Sequence, residues 1–336
     1  MTTSTQPQLI DRFGRKVTYV RMSITDRCDF RCVYCMDEEM TFMPREKLLT
    51  LEEIAYLLQA FCELGVEKIR ITGGEPLVRR NVDWLFEHLG DLKQSTALKE
   101  LTLTTNGSQL VKYSESMAAA GVDRINISLD SLKADRFRDL TRTGNLADVL
   151  AGIDAANRAG FKRIKLNAVI MKGRNDDEVI DLARFAIDND MDISYIEEMP
   201  LGQVSHERNE SFFSSDEALE LLNGEFDLQP SLSKTGGPSR YYQVANSNSK
   251  IGFISPHSHN FCDTCNRVRV TTEGRLLLCL GQEHSVDLRD VIRSHPGDMD
   301  RLKQAIIDSM EIKPEGHDFD IQAQPVLFRH MSVTGG

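Results

Sequence analysis

Residues 18–35 read Thr-Tyr-Val-Arg-Met-Ser-Ile-Thr-Asp-Arg-Cys-Asp-Phe-Arg-Cys-Val-Tyr-Cys. The first part, Thr18–Ile24, is rich in β-branched and apolar residues, which predicts a strand. Three cysteines follow it at once, Cys28, Cys32 and Cys35, and this spacing favours a bound metal or cluster. Three thiolates are one short of the four that close a structural zinc site or hold a [4Fe–4S] cluster. The segment therefore predicts either a fourth ligand from elsewhere, such as a distant His, or a cluster with one open iron.

The strand-then-helix pattern repeats along the chain to about residue 200. Alternation of short β-branched runs with longer helical patterns is typical of βα units on a parallel sheet. The first predicted helix follows Thr50, where Glu53 completes a capping box. We predict six strands, at Thr18–Ile24, Lys68–Thr72, Leu101–Thr104, Arg124–Leu129, Arg163–Ile170 and Asp192–Glu197.

The composition excludes several classes of protein. The 336 residues contain 40 basic and 51 acidic side chains, a net charge of −11, so we expect no binding to nucleic acid or to a membrane surface. A hydrophobic content of 40% excludes fibrous and wholly disordered chains. No apolar run is long enough to span a bilayer, and the polar N-terminus does not resemble a signal peptide. We expect a cytoplasmic protein with reduced cysteines.

A second set of cysteines lies near the C-terminus, at Cys262, Cys265 and Cys279. The remaining cysteine, Cys62, lies in an apolar helical pattern and is predicted to be core. The spacing of the second set alone leaves the ligand open, because His257 or His259 could complete a Cys3His zinc site.

The first cysteine set and a glycine motif together resemble the radical S-adenosylmethionine (SAM) superfamily. The glycine motif is Thr72-Gly73-Gly74-Glu75-Pro76, directly after the second predicted strand. The resemblance implies a [4Fe–4S] cluster on Cys28, Cys32 and Cys35 whose fourth iron binds SAM. One-electron reduction would then cleave SAM to methionine and a 5′-deoxyadenosyl radical.

The second cysteine set, followed by Asn266-Arg267-Val268-Arg269, is similar to one subfamily, the GTP 3′,8-cyclases of molybdenum-cofactor biosynthesis. The similarity runs from Phe13-Gly14-Arg15-Lys16 to the terminal Gly335-Gly336. It implies a lyase that converts GTP to (8S)-3′,8-cyclo-7,8-dihydroguanosine 5′-triphosphate. It also implies a second [4Fe–4S] cluster, on Cys262, Cys265 and Cys279, with an open iron that contacts the purine.

Basic residues interrupt the apolar strands at Arg21, Arg70 and Lys165, and each alone could lie on an exposed strand face. Together with Arg267 and Arg269 in an acidic protein they predict a triphosphate pocket. The resemblance assigns Cys28, Cys32, Cys35, Arg267 and Arg269 to catalysis and Tyr34, Gly74, Ser128 and Met199 to SAM. It assigns Arg21, Arg70, Thr104, Lys165, Arg267, Val268 and Arg269 to GTP.

We expect an α/β fold, a partial (βα)6 TIM-like barrel over residues 13–230. A C-terminal α+β segment, residues 231–336, would close one side, carry the second cluster and end in a flexible Gly-Gly tail that the resemblance places in the active site. The resemblance implies an external one-electron donor, transfer of the product to cyclic pyranopterin monophosphate synthase, and a monomer or homodimer.

Two departures from the family pattern are Asp29, where Asn is usual and little effect is expected, and Ser194-Tyr195, where Arg-Phe is usual. The alternatives are a two-cluster radical SAM enzyme that modifies a peptide or RNA, and a zinc-stabilised binding protein.

Overall fold

A computed structural model describes residues 8–317 except 203, 205, 234 and 260, together with residues 319 and 331–335. One twelve-stranded sheet organises them. Its strands are β1 Tyr19–Ser23, β2 Lys68–Thr72, β3 Glu100–Thr105, β4 Arg124–Ser128, β5 Arg163–Ile170, β6 Asp192–Glu197, β7 Leu228–Ser231, β8 Arg240–Val244, β9 Lys250–Ile254, β10 Arg267–Val270, β11 Arg275–Leu277 and β12 Ser285–Asp287. The helices are α1 Leu51–Glu63, α2 Val82–Ser95, α3 Leu110–Ala119, α4 Ala134–Thr141, α5 Leu146–Ala159, α6 Val179–Asp188, α7 Arg208–Ser211, α8 Ser215–Asn223, α9 Leu288–Ser294, α10 Met299–Ser309 and α11 Met331–Thr334.

Strands β1 to β6 form the parallel half of the fold that the alternating pattern predicts. They lie side by side in chain order, and every neighbouring pair is parallel. The predicted capping box at Thr50 is present, with bonds to Glu53 in both directions. The predicted α/β fold class is confirmed.

The C-terminal third of the chain extends this sheet at both edges. Strand β9 pairs in parallel with β6, and β10 pairs in parallel with β1. Antiparallel strands continue outward on each side, β8 and β7 beyond β9, and β11 and β12 beyond β10. The sequence predicts closure at one side only; the structure differs because two separate strands of the segment find the two open edges of the (βα)6 unit.

Alternate residues of the parallel strands face opposite sides. Apolar residues such as Ile71, Leu103 and Ile127 are buried in the core. Polar residues between them, Arg70, Thr104, Asn126, Ser128 and Lys165, line a cavity inside the sheet. The inner face is therefore built to hold a polar ligand rather than to be filled by side chains.

No helix within the described ranges is both long and apolar enough to cross a membrane. Residues 318 and 320–330, and Gly336 of the predicted flexible Gly-Gly tail, lie outside the described residues.

Candidate functional site

One cavity at the carboxyl ends of the parallel strands brings together all the residues that the sequence analysis assigns to a cluster, to SAM or to GTP. Both cysteine sets line it and are partly buried, whereas Cys62 is fully buried in α1. The other assigned residues on its wall are Arg21, Tyr34, Arg70, Gly74, Thr104, Ser128, Lys165, Met199, Arg267, Val268 and Arg269. Their individual roles stay predictions.

The first cysteine loop is fastened to the glycine motif after β2. Gly74 N–H donates to the Thr25 carbonyl at 2.7 Å, and Glu75 N–H donates to the Arg27 carbonyl at 2.8 Å. A Cβ on Gly74 would stand 2.6 Å from the Arg27 carbonyl carbon. Gly74 is thus required by the close approach of the loop that leads into Cys28.

Asp29, which the sequence analysis expects to matter little, anchors the same loop. Its carboxylate accepts from Asn106 Nδ2 at 2.7 Å and from Ser108 Oγ at 2.6 Å. Asn106 Nδ2 also lies 3.8 Å from Cys28 Sγ. Asp29 therefore ties the cysteine loop to the segment after β3, and the small effect expected of Asp in place of Asn stays a prediction.

Glu75 is a second anchor that the sequence analysis missed as an individual residue. Its fully buried carboxylate accepts from Thr105 Oγ1 at 2.8 Å, Asn106 N–H at 2.6 Å and Leu77 N–H at 3.0 Å. Burial raises the pKa of Glu75 to about 7 even though these donors favour the charged form. Its place in a motif that resembles a simple βα turn concealed this role.

Tyr34, between the second and third cysteines, is held by a buried acid. Its hydroxyl donates to Asp130 Oδ2 at 2.7 Å, and Asp130 Oδ1 accepts from Val169 N–H at 2.9 Å. Burial raises the pKa of Asp130 to about 6. Asp130 follows β4, so this pair fixes the cysteine loop against the ends of β4 and β5.

Arg70 is held from two sides. Its Nε donates to the Tyr19 hydroxyl at 2.6 Å, and its Nη1 donates to Thr104 Oγ1 at 3.0 Å. Burial would raise the pKa of Tyr19, but Arg70, Arg21 and Lys68 lower it to about 7. Tyr19 was not predicted as a site residue, because its role depends on the register that sets β1 beside β2.

Lys165 lies deeper on the inner face. Its Nζ contacts Ser194 Oγ at 3.2 Å and the Tyr241 hydroxyl at 3.4 Å. Burial lowers the pKa of Lys165, and Lys165 is the main group that brings the pKa of Tyr241 down to about 8 against the effect of burial. Ser194, one of the two departures from the family pattern, is thus a direct neighbour of a predicted GTP ligand.

Three guanidinium groups crowd the cavity beside β1 and β10. Burial, with repulsion from Arg70 and Arg267, lowers the pKa of Arg21 to about 10, and burial with repulsion from Arg21 and Arg267 also lowers the pKa of Arg269. Arg269 donates to the carbonyl of Gly335. Like charges this close favour the binding of an anion with several negative oxygens.

The end of the described chain reaches this cavity, as the resemblance implies. Gly335 has a φ of +77°, and a Cβ there would stand 2.8 Å from Thr72 Cβ. A side chain at this position has no room, so glycine is required both by the backbone and by the space.

A segment that no motif marked forms the wall behind the second cysteine set. Lys313 Nζ lies 3.7 Å from Cys265 Sγ, and Gly316 lies against Cys262. Cys279 Sγ is 3.9 Å from the Gly316 carbonyl. Although burial raises it, the pKa of Cys265 is lowered overall, because Arg267, Lys313 and Arg15 favour the thiolate.

The two histidines that could complete a zinc site are engaged elsewhere. His257 Nε2 lies 3.0 Å from the Glu198 carbonyl oxygen, and His259 Nε2 lies 2.9 Å from an oxygen of Asp216. Glu198 itself is buried and pairs with Arg208 at 3.2 Å. This network positions the segment around Met199 rather than a metal.

The thiols fit iron–sulfur clusters better than a single ion. Within the described ranges no three His, Cys, Asp or Glu side chains are arranged to hold one metal ion. A [4Fe–4S] cube instead takes each thiolate on a different iron, so the sulfurs need not converge on one point. The buried side-chain oxygens of Asn126 and Asn167 also line the cavity with no partner in the described chain, as acceptors for a bound ligand would.

The fold and the first cysteine site define a radical SAM enzyme. Residues 22–186 match the Radical SAM superfamily, and residues 191–319 match Molybdenum Cofactor Synthesis C. Among solved structures, Streptococcus suis SuiB bound to S-adenosylmethionine has a TM-score of 0.59 at 16% identity, over 86% of this chain and 66% of that one. SuiB alone has a TM-score of 0.57, over 80% of this chain and 62% of that one. At this identity the likeness shows the fold alone.

Full-length relatives narrow the class. The GTP 3′,8-cyclase of Saccharophagus degradans is 58% identical over 98% of both chains. That of Pseudomonas syringae pv. syringae is 59% identical over 98% of this chain and 99% of its own length. The chain belongs to the GTP 3′,8-cyclase family, and membership implies [4Fe–4S] clusters and SAM as its cofactors.

Proposed function

We propose that this chain catalyses the reaction of its family, the conversion of GTP to (8S)-3′,8-cyclo-7,8-dihydroguanosine 5′-triphosphate. The observation that carries the proposal is that both cysteine sets and five basic side chains, Arg21, Arg70, Lys165, Arg267 and Arg269, line one cavity. A nucleoside triphosphate between the two sets would meet cations along its phosphates, while the first cysteine set would serve SAM and the second would face the purine.

When bound, the first cluster and SAM would supply the radical chemistry: removal of the ribose 3′ hydrogen of GTP, closure of the C3′–C8 bond, and a further one-electron reduction with a proton to give the 7,8-dihydro product. The chain's own residues hold the reactants in place. Cys28, Cys32 and Cys35 hold the first cluster, and Tyr34, Gly74, Ser128 and Met199 form the surroundings of SAM. Cys262, Cys265 and Cys279 hold the second cluster.

The basic residues position GTP. Arg70 is fixed by Tyr19 and Thr104, which leaves its remaining N–H groups for a phosphate. Arg21, Lys165, Arg267 and Arg269 neutralise the other phosphate oxygens, and the backbone at Val268 lies beside them. Because a radical reaction needs little acid–base help, orientation is the main contribution of these residues.

The proposed function also implies a role for each part of the chain, a cellular location and a set of partners. Residues 13–230 form the unit that binds SAM, and residues 231–336 carry the second cluster and complete the GTP site. The protein works in the cytoplasm as a monomer or homodimer, receives single electrons from an external donor, and passes its product to cyclic pyranopterin monophosphate synthase.

Anaerobic turnover tests the proposal. Reconstituted protein, reductant and SAM are incubated with GTP, with ATP or without nucleotide, and 5′-deoxyadenosine is followed by chromatography. GTP-dependent formation with a new cyclised nucleotide is expected. Formation without nucleotide selectivity would contradict the GTP assignment.

A variant tests the division of roles. Arg267→Ala is expected to abolish cyclisation while the protein keeps its iron, because Arg267 binds substrate and no cluster. Loss of iron in this variant would make Arg267 structural instead.

A further inference from the structure

Lys313 is a fully buried lysine behind the second cysteine set. It follows the short helical turn Met310–Ile312 at the end of α10, and only 1% of its surface is exposed. No sequence motif includes it, and it does not line the cavity.

The partners of Lys313 are unusual for a buried cation. Its Nζ donates to the Leu278 carbonyl at 2.7 Å and lies 3.7 Å from Cys265 Sγ. Within the part of the chain that the structure describes, no carboxylate pairs with it, although burying an ammonium without a counter-charge is strongly unfavourable. A group able to carry negative charge that does contact it is the Cys265 thiol, at 3.7 Å.

Other cations surround the second set as well. Arg15 donates to the Cys262 carbonyl at 2.9 Å and to the Pro314 carbonyl at 2.6 Å, so it clamps the segment that carries Lys313. The guanidinium of Arg267 stacks on Phe261, next to Cys262.

The first cysteine set has several carboxylates in its surroundings. Buried or partly buried carboxylates lie around it: Asp29 beside Cys28, Glu75 close by, and Asp130 on Tyr34. Arg31 also donates to the Cys28 carbonyl at 2.6 Å, so a guanidinium lies near each set. The difference is that a carboxylate lies beside a thiol of the first set, whereas the buried ammonium of Lys313 lies beside a thiol of the second.

We propose that Lys313 is the buried counter-cation of the second cluster, and that it stabilises the reduced form of this cluster. Three thiolates leave the cluster with net negative charge, and accepting one more electron from the external donor increases that charge, so an adjacent ammonium favours reduction. Lys313 is a positioning residue in this sense, since it acts through the cluster and not on GTP. The inference rests on the second cluster of the proposed function.

Redox titration of the holoenzyme tests this inference. Lys313→Met removes the charge at similar length, Lys313→Arg keeps it, and Lys93→Met is the control. Lys93 is a partly buried lysine that pairs with Asp123. Asp123 directly precedes β4, so this pair lies at the amino end of the strands, opposite the end that carries the cysteines. The signal that changes when SAM is added identifies the first cluster, and electron paramagnetic resonance follows both.

The midpoint potential of the second cluster is expected to shift to more negative values in Lys313→Met, and to remain near the wild-type value in Lys313→Arg and Lys93→Met. The first cluster is expected to keep its potential in all three variants. An unchanged second potential in Lys313→Met would overturn the inference.

Comparing the stability of the cluster-free and the reconstituted protein distinguishes a counter-cation from a residue that only fills space. In cluster-free protein, Lys313→Met is expected to unfold at the wild-type temperature or above, because an uncompensated ammonium is gone. In the reconstituted protein it is expected to lose iron to a chelator faster than wild type. Equal destabilisation of both forms would assign Lys313 to packing and overturn the inference.

Iron and sulfide analysis separates the two possible failures. A wild-type protein that binds only one cluster contradicts the proposed function itself. A wild-type protein with two clusters and an unaltered Lys313→Met variant contradicts only the role of Lys313.

Discussion

Replacement of Gly74 by alanine tests whether the loop before Cys28 must approach the glycine motif as closely as the structure shows. The new Cβ would lie 2.6 Å from the Arg27 carbonyl carbon and closer to its oxygen, whereas ordinary contact begins at 3.4 Å. The difference is 0.8 Å for the carbon and larger for the oxygen, so the loop that enters the first cysteine set has to move by at least 0.8 Å. Overpacking of this kind costs about 1–3 kcal/mol of folding free energy.

The catalytic effect is expected to be larger than the effect on stability. A misplacement of about 1 Å at reacting groups costs roughly 100-fold in rate. We therefore expect Gly74→Ala to form 5′-deoxyadenosine roughly 100-fold more slowly while it retains most of its iron. The assay is anaerobic turnover with SAM and GTP, normalised to iron content.

Two glycines provide matched controls. Gly90 in α2 is also crowded by a backbone carbonyl, since a Cβ there would stand 3.1 Å from the Ala120 carbonyl carbon and closer to its oxygen, but it lies away from the cavity. Gly224 is open, with its nearest neighbour at 3.4 Å. Gly90→Ala should lower the unfolding temperature without changing the rate per iron, and Gly224→Ala should change neither. A wild-type rate in Gly74→Ala would refute the reasoning.

Three further changes probe the rest of the site. Tyr19 has a pKa lowered to about 7, so the stability that it contributes is complete above its unfolded pKa near 10 and is lost as the pH falls through 7. In Tyr19→Phe the unfolding temperature should therefore depend less on pH between 7 and 10. The variant also frees Arg70 and should raise the KM for GTP. Arg208→Met removes the guanidinium that pairs with the buried Glu198 at 3.2 Å, while His206 and Ser211 still bond that carboxylate. The variant should lower the free energy of unfolding by about 1–3 kcal/mol, as measured by urea denaturation. Gly335→Ala brings a methyl group into Thr72 and imposes an unfavourable φ, so turnover should fall while iron content and SAM binding stay at wild-type levels.

Much of the fold could be predicted from local pattern. Strands β2, β5 and β6 have the predicted bounds, because β-branched runs between clear helical segments leave few alternatives. The placement of the C-terminal strands could not be predicted, since pairing with a distant edge leaves no local signal. The spacing of residues along the chain does not indicate which edge of the parallel sheet each C-terminal strand will pair with.

The residues of the candidate site also fall into a group that could be predicted from local pattern and a group that could not. Cysteines and glycines stand in compact motifs, so the sequence locates them. Tyr19, Glu75 and Lys313 acquire their roles from register, burial and long-range approach, and a single tyrosine, glutamate or lysine has no pattern that distinguishes it from a surface residue. The contacts of Asp29 could not be predicted, because its partners, in the segment after β3, are distant in sequence.

The pairing of β1 with β10 has a consequence for how the protein is made. Of the strands described, β1 is synthesised first, yet Tyr19 lies opposite Arg267, which is translated much later. Pairings between distant parts of a chain form slowly, because a long loop must close before the contacts stabilise it. Until then one edge of the first strand is exposed, and the wall between the two cysteine sets is missing. A cluster on the first cysteine set would therefore stay open to solvent on that side until β10 has been synthesised and has paired with β1.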